Sequence, residues 1–435
     1  MNLNDSTSAE ELLHVRFNQD SSCFACGTVD GFAVYNIQPF RETFRRIFVS
    51  GGIGLIEMLY RCNLLAIVGG GKTPRYPPNK VMIWDDRQNR CVGELLFKTN
   101  VLNIKLRRDR IIVVLQNKVH VHRFKDLKLL HQINTYNNPK GLIAQSYDKD
   151  IHVIAVPGST IIGSVYIELY TLGKFTTIQA HTSEISALAL SHNGMQLATS
   201  SDKGTIIRTW DTSTGLLLRE LRRGSDRAEI YSLCFNYQTT YLSCSSDKGT
   251  VHIFSLTENS TSISTNANTN AGAGAGYSHT PDNGTPTPAN GNQTMTQLPG
   301  PLGLIQSMIP TSLVPQYFNS EWSFAQIRGI EGKNICTFEG KSNHIIVLSD
   351  LGIYTKCQLP VEPGDCPKLC VNSFLRGFHT DITSDSNSNS NSNSNSNNNS
   401  NSDFVNDRNS SISTISISNK DKDEPIAKTS TSTAI

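Results

Sequence analysis

The sequence predicts an all-β fold, a β-propeller with seven blades. Short runs of β-branched and aromatic residues alternate with turns rich in Gly, Asp and Asn along most of the chain. Propeller blades repeat about every 40–50 residues, and aromatic residues that close strand-like runs recur at similar intervals, with a longer last step that contains a polar insertion. These seven residues are Tyr35, Trp84, Phe124, Tyr170, Trp210, Phe254 and Tyr354.

The repeats resemble WD repeats that have largely lost their signature. The Trp-Asp dipeptide survives only at Trp84-Asp85 and Trp210-Asp211 among the seven strand ends. The first strand-like region, residues 13–37, is expected to close the ring against the C-terminal blade, because closure removes the open sheet edges. Blade 6 breaks off after Ser255, and its last hairpin is expected to hold the insertion before Trp322 returns to strand.

Two segments are too polar and repetitive to pack. We predict a flexible N-terminus at 1–12, blades 1–6 at 13–257, a low-complexity insertion at 258–312, the end of blade 6 and blade 7 at 313–380, and a disordered Ser/Asn-rich tail at 381–435. The insertion and the tail cannot bury enough apolar surface to offset the entropy of ordering them.

Composition excludes several functional classes. The net charge of +2 gives no global attraction to nucleic acid, so electrostatic targeting must come from a local cluster. The N-terminus does not resemble a signal peptide, and apolar runs are of strand length, so a cytoplasmic protein is expected. Cys23-x-x-Cys26 lacks a second Cys or His pair, which favours buried free thiols over a metal site. No metal or other cofactor is predicted.

A pair of arginines stands between two near-copies of one motif. Ser200-Ser201-Asp202-Lys203-Gly204-Thr205 recurs 45 residues later as Ser245-Ser246-Asp247-Lys248-Gly249-Thr250, and Leu221-Arg222-Arg223-Gly224 lies between them. Neighbouring residues of an extended chain point in opposite directions, so Arg222 is expected to face blade 5 and Arg223 blade 6. The arginine fork binds phosphate oxygens in bidentate fashion. Gly224 would allow a backbone conformation that other residues resist.

Each repeat supplies further candidate ligands for an anion. Hydroxyls, imidazoles and a second basic side chain lie around the two arginines, and Arg208 and His252 fall at similar points of their strands. The candidates are His181, Ser183, Ser201, Thr205 and Arg208 on blade 5, and Ser246, Thr250 and His252 on blade 6. The two histidines could instead be structural, and the two serines could merely cap the hairpin turns.

The Leu-Arg-Arg-Gly motif with these flanking residues resembles the signature of the PROPPIN family, and the N-terminal half is similar to its fungal branch called "homologous with swollen vacuole". The resemblance implies WD-repeat β-propellers, not enzymes, that bind phosphatidylinositol 3-phosphate and phosphatidylinositol 3,5-bisphosphate through two rim sites in blades 5 and 6. It further implies a scaffold recruited peripherally to vacuole, endosome and pre-autophagosomal membranes, with roles in autophagy, including that of the nucleus.

Two further contacts are predicted with help from the resemblance. An apolar stretch at the end of the insertion is expected to enter the bilayer through Leu304, Ile305, Met308 and Ile309. Asn18 and Asp20 are expected to contact an autophagic lipid-transfer protein, with a plain Asx turn as the alternative.

Two other functions remain open on the sequence. The chain could be a WD-repeat adaptor that binds only protein, its arginines meeting an acidic peptide. It could also be an enzyme, although no nucleophile–base pair, metal cluster or carboxylate pair supports that.

Overall fold

The computed structural model describes residues 11–49, 51–257, 320–340 and 342–375. These residues form thirty strands and one short 3-10 helix, arranged in seven sheets around an axis. The predicted seven-bladed, all-β propeller is therefore confirmed. The predicted insertion (258–312) and tail (381–435) lie outside the described residues.

Every blade has four antiparallel strands in chain order, except that blades 5 and 6 each carry one additional strand. The first three blades are built from β1 (Leu12–Phe17), β2 (Cys23–Thr28), β3 (Gly31–Asn36) and β4 (Arg41–Ile47); β5 (Ile53–Met58), β6 (Leu64–Gly69), β7 (Lys80–Asp85) and β8 (Arg90–Leu96); and β9 (Asn103–Leu106), β10 (Arg110–Val114), β11 (Lys118–Arg123) and β12 (Leu129–Asn134). The 3-10 helix, Tyr170–Leu172, lies in blade 4.

The remaining blades follow the same plan. Blade 4 has β13 (Ala144–Gln145), β14 (Val153–Pro157), β15 (Ser164–Leu169) and β16 (Lys174–Gln179), and blade 5 has β17 (Ile185–Leu190), β18 (Gln196–Ser201), β19 (Ile206–Asp211), β20 (Leu217–Arg222) and the added β24 (Glu321–Trp322). Blade 6 has β21 (Ile230–Phe235), β22 (Tyr241–Ser246), β23 (Thr250–Ser255), β25 (Ala325–Arg328) and the added β29 (Gly364–Asp365), and blade 7 has β26 (Asn334–Phe338), β27 (His344–Ser349), β28 (Ile353–Gln358) and β30 (Lys368–Ser373).

The core is divided among the blade interfaces. Seven apolar clusters occur in the described residues, and each joins two neighbouring blades around the ring. The second strand of each blade is buried along nearly its whole length, so each sheet buries both faces, one against each neighbour. Removal of apolar area from water at seven interfaces holds the ring together.

The ring closes by packing of blade 1 on blade 7, without exchange of strands. All four strands of blade 1 come from the N-terminal end and all four of blade 7 from the C-terminal end. Phe24 and Tyr354 meet in the cluster between these blades, and the Tyr35 hydroxyl donates to the Phe374 carbonyl at 2.6 Å. The expected closure of residues 13–37 against the last blade is thus observed.

The two added strands bridge neighbouring blades. Residues 321–322 pair in parallel with β20 of blade 5 before the chain enters blade 6, and residues 364–365 pair in parallel with β25 of blade 6 within a segment that belongs to blade 7. The sequence interpretation placed the return to strand of blade 6 at Trp322. Trp322 instead extends blade 5, and blade 6 resumes at Ala325.

The sequence predicts Tyr354 as the aromatic strand end of blade 7. Tyr354 lies near the start of β28, so the position equivalent to Trp210 is Cys357, three residues later; the blade count is unaffected.

Cys23 and Cys26 are buried, and they belong to different clusters on opposite faces of β2. Their two thiols therefore cannot bind the same metal ion. Within the described ranges no cluster of three or more metal-ligating side chains occurs, and no helix there could span a membrane.

A buried histidine between blades 3 and 4 makes the fold sensitive to acid. The His152 ring is stacked on Tyr170 at 4.4 Å, and neither ring nitrogen has a hydrogen-bond partner among the described residues. The Arg110 guanidinium lies 4.1 Å from the centre of the Tyr170 ring. Burial, together with the charges of Arg110 and Arg107, lowers the pKa of His152 to about 2. The folded chain therefore holds this imidazole neutral.

We expect His152→Phe to reduce the loss of stability in acid. The unfolded imidazole takes up a proton below about pH 6.5 and the folded one does not. The free energy of unfolding of the wild type therefore decreases as the pH is lowered, by up to ~1.4 kcal/mol per pH unit from this residue. Phenylalanine keeps the stack and removes the titrating group. Urea unfolding at pH 7.5, 6.5 and 5.5 measures the slope, and His344→Phe, a half-exposed histidine on blade 7, is the control. Equal slopes for wild type and His152→Phe would contradict the argument.

Candidate anion site on blades 5 and 6

The outer strand of blade 5 sends its last side chains to opposite faces of the sheet. Leu221 is fully buried in the cluster between blades 5 and 6. Arg222 lies across from Ile206, on the face that Arg208 and Trp210 share and that packs toward blade 4. Arg223 follows on the blade 6 side. The expected opposite orientation of the two arginines is therefore what the strand register produces.

Both arginines are almost buried, with exposures of 8% for Arg222 and 6% for Arg223. Backbone carbonyls hold Arg223. Its Nε donates to the Gly204 carbonyl at 3.0 Å, and a terminal guanidinium nitrogen donates to the Asp226 carbonyl. Its own amide donates to the Thr205 carbonyl at 2.9 Å. Carbonyl oxygens orient the guanidinium without neutralising its charge, so an anion would gain from approaching it.

The blade 5 half-site contains an ion pair that sequence reasoning did not foresee. Arg208 lies across from Glu220 and pairs with it at 3.0 Å, while another nitrogen of Arg208 donates to the Ala180 carbonyl at 2.6 Å. Glu220 also accepts from the Ser320 hydroxyl at 3.0 Å. The guanidinium of Arg208 thus connects β19 to Glu220 of β20 and to the carbonyl of Ala180. Arg222 lies two residues after Glu220, at the end of β20.

His181 is bound into the interior of blade 5. Its Nε2 is 2.9 Å from the Thr199 hydroxyl, and the Trp210 indole donates to the same hydroxyl at 3.0 Å. Burial, together with the charge of Arg208, lowers the pKa of His181 to about 4. This bonding matches the structural alternative for His181, and its contact with an anion stays a prediction.

The hydroxyl candidates of blade 5 surround the same strand ends. Ser201 is buried at the end of β18, where its carbonyl accepts from the Ser186 hydroxyl and the Gly204 amide. Thr205 and Ser183 are partly exposed. These positions are compatible with one shared site, and the contact of the three hydroxyls with an anion beside Arg222 stays a prediction.

The blade 6 half-site repeats the geometry of blade 5 in its strand register. His252 lies across from Cys244 as Arg208 lies across from Thr199, which matches the expected correspondence of the two strands. His252 uses Nδ1 toward the Ser323 hydroxyl at 3.2 Å. Burial, together with the charges of Arg223 and Arg328, lowers its pKa to about 4. The contact of Arg223 and His252 with one anion stays a prediction.

Thr250 and Ser246 differ in what they can offer. Thr250 is partly exposed at the start of β23, across from Arg328. Ser246 is 1% exposed and its hydroxyl accepts from the Lys248 amide at 3.4 Å. For Ser246 the turn-capping alternative is therefore realised in the structure.

Arg328 is a basic residue of this site that sequence reasoning missed. It lies across from Thr250 as Arg222 lies across from Ile206, so it occupies the position of Arg222 in the next blade. Ile327-Arg328-Gly329 repeats the Leu-Arg-Arg-Gly pattern with one arginine fewer, but the insertion hides the repeat. The side chain is 63% exposed and pairs with Asp365 on the bridging strand β29 at 3.0 Å.

Glycine is needed in the hairpin turns and not after the arginines. Gly204 and Gly249 have φ of 63° and 68°, and a Cβ on Gly204 would lie 1.9 Å from the Ala228 carbonyl oxygen. Gly224 lies outside the left-handed region, and a Cβ there would meet no atom within 4 Å. The backbone role expected for Gly224 was therefore wrong; the required glycines are those of the Asp-Lys-Gly turns.

The remaining candidates fall elsewhere. Leu304, Ile305, Met308 and Ile309 lie outside the described residues. Asn18 is 5% exposed, and its side-chain carbonyl accepts from the Ser22 and Cys23 amides, so it has a structural role in this turn. The Asx turn considered as the alternative is formed by Asp20, whose carboxylate accepts from the Ser22 amide at 3.1 Å. Asp20 is exposed at the same turn.

The candidate lipid-binding residues do not line the cavity on the propeller axis. A cavity of about 250 Å³ lies along the axis, lined mainly by the innermost strands of the blades, and no lipid-binding candidate lines it. The basic groups lie instead at the outer ends of blades 5 and 6. Such an open edge suits a ligand presented on a surface.

The comparisons place the chain in one family. The PROPPIN family model matches residues 11–290. SVP1-like protein 2 of Pichia angusta is 41% identical over 252 residues, which is 57% of this chain and 70% of that protein. Autophagy-related protein 18e of Arabidopsis thaliana is 40% identical over 248 residues, covering 57% of this chain and 66% of that protein.

Solved structures share the fold. Hsv2 of Kluyveromyces marxianus superposes with a TM-score of 0.62 at 20% identity, over 84% of this chain and 99% of that one. KlAtg21, solved in complex with the coiled coil of AgAtg16, has a TM-score of 0.62 at 22% identity, over 84% of this chain and 100% of that one. With the family model covering well over half of the sequence, the chain belongs to the PROPPIN family of phosphoinositide-binding β-propellers.

Proposed function

We propose that this chain is a non-enzymatic effector that binds phosphatidylinositol 3-phosphate and phosphatidylinositol 3,5-bisphosphate through two rim sites, one on each side of the outer strand of blade 5. The observation that carries the proposal is the opposite orientation of Arg222, on the face of Arg208, and Arg223, which interacts electrostatically with His252. The family supplies phosphoinositide binding in general; the two lipids and the two sites are the proposal.

Phosphate chemistry suits the blade 6 half-site. Arg223 is desolvated and held by carbonyls, so its charge is available to a phosphate in a medium of low dielectric constant. Burial and the charges of Arg223 and Arg328 depress the pKa of His252, and a bound phosphate would raise it, which favours the charged, donating form of the ring. Thr250 adds a hydroxyl at the same strand end.

Two weak headgroup contacts on one protein favour a membrane over a free ligand. Once one site has bound, the second meets lipid at a high effective concentration, which strengthens attachment without any new contact. The two half-sites lie on opposite faces of the same strand end, at one edge of the ring, so the propeller would stand edge-on upon the bilayer.

The cellular role follows from the relatives. Several are named autophagy-related protein 18, which supports a membrane-recruited scaffold in autophagy, with selective autophagy of the nucleus and vacuole or endosome function as the finer proposal. The protein would be peripheral on vacuole, endosome and pre-autophagosomal membranes. Exposed Asp20, beside the buried Asn18, would remain the contact for an autophagic lipid-transfer protein.

We expect Arg222→Thr/Arg223→Thr to abolish flotation with vesicles that contain 3-phosphorylated lipid. Each charge-assisted contact is worth about 1.5–3 kcal/mol, so two losses amount to at least a hundredfold. Flotation with and without the lipid is the measurement, and Arg123→Thr, an exposed arginine on blade 3, is the control. Flotation that ignored the lipid or the double substitution would favour the protein-only adaptor.

We expect Arg328→Gln to weaken binding about 3- to 10-fold, because an exposed charge contributes less than a buried one. Arg123→Gln has a similarly exposed, ion-paired side chain and should have no effect. Titration of vesicles by light scattering compares the two. An unchanged affinity for Arg328→Gln would remove this residue from the site.

The predicted entry of residues 304–309 into the bilayer can be tested separately by substitution. Replacing Leu304, Ile305, Met308 and Ile309 with Asp should weaken vesicle binding, because charge is costly in the bilayer interior. Binding of the soluble headgroup by the same variant should not change. Unweakened vesicle binding would exclude insertion of this segment.

A further inference from the structure

The cavity on the propeller axis is lined by two cationic side chains, Arg16 of β1 and Lys105 of β9. Its volume is about 250 Å³, and its lining includes the exposed residues Asp20, Tyr237 and Gly340, so the cavity opens to solvent at that end. A space of this size holds a small solute together with several waters. The two cations are therefore within reach of a ligand from solution.

Arg16 is held in place through one of its terminal nitrogens. This nitrogen donates to Glu57 at 3.0 Å, to the side-chain carbonyl of Asn103 at 2.8 Å and to the Ile104 carbonyl at 2.9 Å. The Nε and the other terminal nitrogen of Arg16 make no hydrogen bond with any residue that the structure describes. The guanidinium is thus fixed and still has donors for a further acceptor.

Lys105 has no direct partner in the part of the chain that the structure describes. Its ammonium makes no hydrogen bond and no ion pair there. Burial and the charge of Arg16 lower the pKa of Lys105 to about 8, against the opposing effect of Glu57, so the ammonium still carries its charge at neutral pH. A cation that is removed from bulk water without a counter-ion is costly. An anion in the cavity would relieve that cost.

Two carboxylates lie near these cations, and both are already engaged. Glu57 is paired with Arg16 at 3.0 Å. Asp20 lies at the exposed rim of the cavity, where its carboxylate accepts from the amide and the hydroxyl of Ser22. The charge of Lys105 is therefore not matched by a carboxylate of its own.

The titratable groups packed around the two cations are neutral. Burial, together with the charges of the two cations, holds the pKa of His14 well below its ordinary value. Burial raises the pKa of Cys234 and of Tyr147, so the thiol and the phenol stay protonated. These groups do not compensate the charge of the ammonium.

The donors without partners suit a small oxyanion. Arg16, Lys105 and Tyr147 line the same cavity, and the Tyr147 hydroxyl has no hydrogen-bond partner among the described residues. Guanidinium and ammonium groups donate strongly to phosphate oxygens, and the hydroxyl adds a neutral donor. A tetrahedral oxyanion presents several acceptor oxygens at once, so it can accept from all three side chains.

We propose that the axial cavity is a binding site for a small soluble oxyanion of the phosphate type, which Arg16, Lys105 and Tyr147 contact. The site goes beyond the proposed lipid function and does not depend on it, because no lipid-binding candidate lines the cavity. The three residues come from blades 1, 3 and 4, so a bound anion would also connect three blades at the axis.

Inorganic phosphate is the probe, and Arg222→Thr/Arg223→Thr is the background, because this variant lacks the proposed rim sites. Calorimetric titration in chloride buffer should show one phosphate bound. Adding Lys105→Met should weaken this binding at least tenfold, since the ammonium contact is charge-assisted, and adding Tyr147→Phe about three- to tenfold. Lys149→Met, at an exposed and ion-paired lysine, is the matched control and should change nothing.

Thermal unfolding without phosphate checks that the variant folds. Lys105→Met should unfold at a temperature no lower than its parent, because it removes a charge that has no partner. A lower unfolding temperature would overturn the proposal, because the ammonium would then already be satisfied within the chain.

The remaining outcomes separate the axial site from the lipid sites. Absence of saturable phosphate binding in the background variant, or equal affinity after both Lys105→Met and Tyr147→Phe, overturns the axial site and leaves the lipid function standing. Displacement of phosphate from the background variant by vesicles with phosphatidylinositol 3-phosphate would assign the cavity to a membrane headgroup and also overturn the proposal. Phosphate binding by a wild type that does not float with such vesicles would instead contradict the lipid function alone.

Discussion

The two-residue period of an extended strand is the constraint on which the proposed site depends. At the end of β20 it places Arg222 and Arg223 on opposite faces of one blade, although they are adjacent in sequence. Strand pairing fixes the first backbone position, and the bond from the Arg223 amide to the Thr205 carbonyl fixes the second. Two cations that would otherwise repel each other are thereby separated by the sheet and assigned to different neighbours.

The ring of blades makes this arrangement stiff. Every sheet buries both faces against its neighbours, and the cavity along the axis is lined by apolar and polar residues, among them Arg16, which pairs with Glu57 at 3.0 Å. The candidate lipid-binding residues therefore lie at the outer strand ends, where side chains are only partly enclosed. His181 and His252 lie where the packed blades meet these strand ends: burial lowers the pKa of both, with a contribution from Arg208 for His181 and from Arg223 and Arg328 for His252.

Much of the fold could be predicted because propeller repeats are local. Period-two strands, Asp-Lys-Gly turns and aromatic strand ends encode one blade at a time, and the correspondence of Arg208 with His252 follows from alignment of two neighbouring repeats. What escaped prediction involves contacts between distant segments. The Arg208–Glu220 pair, the bridge of Trp322 to blade 5 and the role of Arg328 depend on which strand the chain joins after a long insertion. The hydrogen bonds that bind His181 to Thr199 depend on side-chain direction, which sequence spacing does not specify.

The bridging strands β24 and β29 have a mechanical consequence. A parallel pair resists force along its length in shear, since its hydrogen bonds must break together, whereas a hairpin pulled at its open end unzips one bond at a time. Tension on the chain that enters at Ser320 would first load the pairing of Glu321 and Trp322 with β20, and not the hairpin of blade 6. Gly364 and Asp365 brace blade 6 from blade 7 in the same way. Blades 5, 6 and 7 would thus share a pull on this segment, and β20, which ends at Arg222, would take it up first.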